Sequence, residues 1–225
     1  KEIARPRYLD QELIELPSMA LGRARMELGH MGGIVDGMLE NIKPALQGRD
    51  LGGLARGFDQ IVVLRDAVLV YLQKVGRHEF SDLEAGEHAR LVTATGMAAA
   101  ISRDLAPLVA EFETAKIVLS KETAELLERL LQAIEESARS ALHALVERDE
   151  QAAQAVLAKR GEIAGLTAEV QQLQAARLAQ DDPDRFTKHR LQIELLDRLR
   201  RIYSVSEHMA ISVLPRSLLA GDLYS

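Results

Sequence analysis

The run from Phe58 to Val75 constrains the fold more than any other stretch, because it holds no Gly or Pro and few charges. Ile61, Leu64, Val68, Tyr71, Leu72 and Val75 recur at spacings of three and four, the repeat of one helix face. Val62, Val63, Leu69 and Val70 fill the other faces. A helix apolar nearly all round is buried among other helices, so the run predicts a central helix in a helical assembly. The β-branched Ile61-Val62-Val63 would suit the start of a strand. No turn residue follows until Gly76, however, and so long a run favours helix.

The remaining chain suits such an assembly. Its 225 residues suffice for one large domain or two small ones with a real core. Aromatics make up only 4% and Trp is absent, which leaves Leu, Ala, Val and Ile to build that core. A net charge of −6 argues against a nucleic-acid surface. The absence of Cys excludes disulfides, thiolate metal sites and Cys nucleophiles, and fits a reducing cytosol. Lys1 to Asp10 is too polar for a signal peptide. No apolar run approaches the ~20 residues that span a bilayer, so the chain reads as soluble.

Residues 1–16 read as a lead-in, with Arg5-Pro6-Arg7 disfavouring helix at its centre. The chain lacks an initiator Met, and the lead-in reads as the continuation of a longer protein. Pro17 suits the first turn of helix 1, whose stripe (Leu21, Met31, Ile34, Val35, Met38, Leu39, Ile42, Leu46) runs to about Gln47. Gly29, Gly32, Gly33 and Gly37 each weaken it by roughly 1 kcal/mol relative to Ala. Close helix packing is the first reading of these glycines, and backbone approach to a ligand is the second. Gly48 to Asp50 predicts a turn, and Gly76 to Phe80 a break after helix 2. Ser81-Asp-Leu-Glu84 has capping-box spacing and starts helix 3, which Pro107 should kink or divide. Thr114 to Leu119 reads as a crossover. Ser120 caps helix 4, with Leu126, Leu127, Leu130, Ile134, Ala138 and Leu142 as its stripe. Glu147 to Asp149 predicts a turn, and helix 5 follows to about Leu178. Asp181 to Asp184 stops it, and helix 6 runs from Arg185 or Phe186 to just before Pro215. The stripe of helix 6 is Leu191, Leu195, Leu199, Ile202, Val205 and Met209.

The expected fold is all-α, with residues 17–119 forming a first three-helix bundle, 120–214 a second, and 215–225 a tail. Ala45-Leu46-x-x-Arg49-Asp50 returns as Ala144-Leu145-x-x-Arg148-Asp149 at the equivalent turn, which suggests a duplicated three-helix unit.

Four segments then carry a resemblance: Pro6 to Pro17 with Ala20 to Arg25, Met31 to Leu39, Arg65 to Leu72, and His189 to Ile202. In order and spacing they resemble the PhoU-like phosphate-uptake regulators, especially the cytoplasmic tail of bacterial sodium/phosphate cotransporters. The resemblance implies two pseudo-symmetric three-helix bundles and a regulatory rather than catalytic role. It implies a location at the cytoplasmic face of the inner membrane, with the transporter's membrane domain as partner, probed through a concave face of helices 2, 3, 5 and 6. A free-standing regulator acting with a transporter and a sensor kinase is the alternative. Homodimerisation through the Ala-rich and Gly-rich faces is a further expectation.

Several members of that family hold metal clusters through an acid followed four residues later by Asp. Carboxylates so spaced share a helix face and can grip one cation. Here the motif is eroded: Asp59 is followed by Val62 and Val63, and Asp66 lies about 10 Å further along the axis. Asp59, Asp66, Asp104 and Glu162 remain as weak candidates, and no cofactor is expected. The alternative is a bundle binding iron, zinc or manganese. Asp36 with Glu40, and Glu84 with His88, are further i, i+4 pairs with no evident third ligand. No His-x-x-x-His pair and no phosphate-binding loop is present. Arg198, Arg200 and Arg201 could face a partner, although Glu194 with Arg198 and Asp197 with Arg201 have the spacing of helix-stabilising pairs.

Overall fold

A computed structural model describes residues 5–46, 52–115, 119–178 and 185–215. Among them every regular element is helical, so the fold is all-α. A single 3₁₀ turn, Gln11–Leu13, precedes α1 (Pro17–Leu46), α2 (Gly52–Val75) and α3 (Asp82–Ala115). There follow α4 (Lys121–Glu147), α5 (Glu150–Ala158), α6 (Arg160–Leu178) and α7 (Arg185–Val213). The turn at Gly48 to Asp50, the stop at Asp181 to Asp184 and residues 216–225 of the tail lie outside the described residues.

The starts of the helices follow local chemistry. The Ser81 N–H donates to Glu84 Oε2 at 2.8 Å, and the Glu84 N–H points back at Ser81 Oγ, a reciprocal capping box. The Ser81 hydroxyl, donating to Glu84 Oε2 at 2.7 Å, and then the Ser81 N–H hold the Glu84 carboxyl below its usual range. Ser120 accepts the Thr123 N–H to open α4. At the end of α4, Arg148 adopts the left-handed conformation, with φ 57°, and sends its N–H back to the Ala144 carbonyl. Asp149 then caps α5 by accepting from the Gln151 and Ala152 N–H groups.

Three expectations change. α3 runs unbroken past Pro107 to Ala115, so Pro107 does not divide it and Thr114 is still helical. The fifth helix is split at Lys159 into α5 and α6. The Lys159 N–H bonds Val156 O, three residues back, at 3.2 Å, a 3₁₀-type step before helical bonding resumes at Ile163. Its ammonium is held between Glu136 at 2.9 Å and Glu162 at 3.0 Å. Finally, α2 is not enclosed. Ile61, Leu64, Val68, Tyr71, Leu72 and Val75 are buried as the stripe predicts, but Val63 is 38% and Val70 52% exposed. The principal neighbours of α2 are α1 and α3, and its opposite face is left to solvent.

α1, α2 and α3 pack mutually around Leu21, Leu28, Met31, Leu64, Leu72 and Ile101. α4 packs with α5, α6 and α7 around Leu130, Ile134, Val156, Leu195 and Ile202. α3 against α7 and α1 against α4 join the two sets in one continuous core.

Candidate functional site

The structure does not bring the metal candidates together. Asp59 is exposed on α2. Asp66 pairs with its neighbour Arg65 at 2.7 Å. Asp104 on α3 takes Arg201 of α7 at 3.2 Å, and Glu162 on α6 takes Lys159. Among the described residues no three His, Asp or Glu side chains are grouped to hold an ion. Asp36 accepts from Arg139 of α4 at 2.8 Å, while Glu40 is exposed. Glu84 is spent on its cap, while His88 Nε2 lies 2.9 Å from the Leu72 carbonyl.

The basic cluster on the last helix is also rearranged. Glu194 pairs with Arg190 at 3.1 Å, and Arg201 leaves its own helix for Asp104. Glu194 thus keeps an i, i+4 partner on its own helix, whereas Arg201 makes a cross-helix pair. Arg200 is exposed and Arg198 half-buried, the former still free to meet a partner surface.

The glycines of α1 correct the close-packing reading. A Cβ on Gly29, Gly33 or Gly37 would meet nothing within 4 Å, and one on Gly32 would only touch Leu142 at 3.9 Å. These positions open space instead of closing it. Close packing occurs at Gly57, where a Cβ would lie 2.5 Å from Met38 Cγ.

Two concavities flank this glycine face. The first is a cleft of about 490 Å³ between α1 and α4, lined by Met26, Gly29, Gly33, Leu142, His143 and Val146. Its charged groups cancel in pairs. Arg25 is bonded to Glu87 and lies 3.6 Å from Glu147, while Arg139 spans Asp36 and Glu135 at 2.8 Å each. The hydrogen bond to Asp36 raises the Arg139 pKa. Burial lowers that of neighbouring Arg90, helped by like charge on Arg148 and Arg25. The cleft is therefore a neutral, partly apolar seam.

The second concavity, about 610 Å³, lies between α1 and the lead-in and is lined by Arg7, Tyr8, His30, Gly29 and Gly33. It is organised by Glu27, which is fully buried. Glu27 Oε2 accepts the N–H groups of Arg7 and Tyr8 at 2.7 Å each, and Oε1 is 2.8 Å from His30 Nδ1. The Tyr8 and His30 rings meet edge-on at 6.4 Å. Further along, the buried Tyr71 hydroxyl donates to the Asp10 carbonyl at 2.9 Å, and Lys74 reaches Gln11. Burial raises the Tyr71 pKa. Residues 7–11 are thus a strap sewn onto α1 and α2, not a loose lead-in. Glu27 with His30, three residues apart on one face, was the available sequence signal. Its partners twenty residues upstream were not legible from spacing.

Over 90 residues, 39% of its length, this chain is 27% identical to the "Putative inorganic phosphate export protein YjbB" of Salmonella typhimurium. The aligned segment spans 17% of that relative's length. No family model matches the chain, and no solved structure matches it. No helix among the described residues is long and apolar enough to cross a membrane.

Proposed function

We propose that this chain handles phosphate as a regulatory, non-catalytic domain of a membrane phosphate transporter, in the manner of a PhoU-like cytoplasmic tail. The similarity to a protein named for phosphate export carries the phosphate reading. The all-α architecture supports the PhoU-like one. Its two sets of mutually packed helices, α1 to α3 and α4 to α7, support the duplicated plan that the resemblance implies. A strap fastened to the bundle supports a mechanical link to a preceding membrane segment. Movement there pulls on backbone groups gripped by Glu27, not on a free tether.

The domain acts by population shift: it docks on the cytoplasmic face of the inner membrane and favours one conformation of the transporter. Its acids, separated and largely paired with cations, act as structural charges in this account. Co-purification tests the reading. The domain expressed separately should be retained by the transporter's membrane half in detergent. Failure to bind it, together with a coding sequence that places no apolar spans upstream of Lys1, would refute the tail assignment.

A further inference from the structure

We propose that Arg7, Tyr8 and His30 form a binding site for inorganic phosphate in a protonated form, seated between the strap and α1. This deepens the phosphate-handling reading and rests on it for the choice of ligand. No Asp or Glu lines the concavity: Glu27 lies buried beneath it, taken up by two backbone N–H groups and His30 and not by the Arg7 guanidinium, whereas in the seam cleft Arg25 and Arg139 are matched by acids. Arg7 supplies the positive charge and a planar fork of donors suited to a phosphate oxygen. The Tyr8 phenol adds a donor or acceptor. Gly29 and Gly33 leave their Cβ positions empty beside them, so room remains over the helix surface.

The selective element is His30. A carboxylate can only accept, so the hydrogen between Glu27 Oε1 and His30 Nδ1 belongs to the imidazole. In the neutral ring this fixes the tautomer and leaves Nε2 as an acceptor. Inorganic phosphate keeps a P–OH at neutral pH and can donate it to that nitrogen. Sulfate and a phosphodiester headgroup have no such proton. Glu27 is a positioning residue: it sets the ring's tautomer and holds Arg7 and Tyr8 in place through their backbone N–H groups. An occupied site would tie the Arg7 side chain to α1 as well, tightening the strap when phosphate is abundant.

The test is a titration of the purified chain with inorganic phosphate and, separately, sulfate, following the His30 ring C–H resonances by NMR. These are assigned by their loss in His30→Asn. Phosphate should move them saturably, and sulfate should bind about tenfold more weakly or worse, because an acceptor left unpaired disfavours the analogue. Arg7→Ala should weaken phosphate binding by about tenfold and Arg7→Lys by less. Arg7 is exposed, so a native circular dichroism spectrum is expected in both variants. Equal binding of sulfate, unmoved His30 resonances, or full affinity in Arg7→Ala would overturn the site. So would Arg7-dependent sedimentation with phosphatidylglycerol vesicles in a chain that ignores free phosphate, which would make the ligand a lipid headgroup. Because the titration uses no transporter, it stands or falls separately from any effect on transport.

Discussion

α1 and α4 face each other across the seam yet are built from opposite materials. α4 buries Leu127, Leu130, Ile134, Ala138, Ala141 and Leu145, and its buried carboxylate, Glu135, pairs with Arg139 of the same helix. Its ends are fixed by Ser120 and by the left-handed Arg148. α1 has an equally apolar inner face, but it exposes Met26, Gly29 and Gly33 and commits its buried carboxylate, Glu27, to the backbone N–H groups of the strap. The contrast separates two uses of a helix. α4 is shaped to be stable, whereas α1 gives up helix propensity to keep space beside a polar latch.

The largest effect should come from breaking that latch. Glu27→Ala would strand the Arg7 and Tyr8 N–H groups and lower stability by about 3 kcal/mol, read in a urea melt. Glu27→Gln, which retains an acceptor, should cost less. Gly57→Ala comes next, because its Cβ would press on Met38; a loss of about 2 kcal/mol is expected from overpacking. Gly33→Ala has the opposite sign. With empty space around it, the change should stabilise by roughly 0.5–1 kcal/mol. A loss there would mean that α1 is packed as α4 is, and the comparison would collapse.

Smaller effects probe the ion pairs. Arg201 and Asp104 join α3 to α7 with the arginine side chain 56% exposed, so a double-mutant cycle should give only about 0.5 kcal/mol. At the α5–α6 break, the Lys159 hydrogen bond holds the Glu136 carboxyl below its usual range, and Glu136 with Glu162 holds Lys159 above its own. The Glu136 contribution is present above its unfolded pKa and is lost as pH falls through the lower folded value. That of Lys159 is present below its unfolded pKa and is lost as pH rises through the higher folded value. Amide protection near residues 156–163, taken relative to the intrinsic exchange rate at each pH, should therefore be greatest between the acid and alkaline limits. Charge-neutral Lys159→Met should flatten that profile.

Much of the helical framework was legible in the chain. The capping box at Ser81, the Ser120 cap, the turn at Arg148 and the buried stripes of α2, α4 and α7 are local chemistry at helical spacing. Distance along the chain hid the rest. The partners of Glu27, Asp36 and Arg201 lie in other elements, and no spacing rule reaches them. The exposure of Val63 and Val70 depends on how many neighbours α2 gains, which its own composition does not set. The glycines were misread for the same reason. A Gly stripe permits both close contact and open space, and the positions of the neighbouring elements decide between them. Of the proposed anion site, Arg7 and His30 were visible as residues but not as neighbours.

The central claim is that this domain controls phosphate movement across a membrane. Its most direct test is phosphate flux in cells carrying the full-length protein or the same protein lacking residues 17–214, at matched membrane expression. The account predicts that the truncated protein moves phosphate at a rate that no longer responds to external phosphate supply. Identical flux and identical response in the two strains would contradict it.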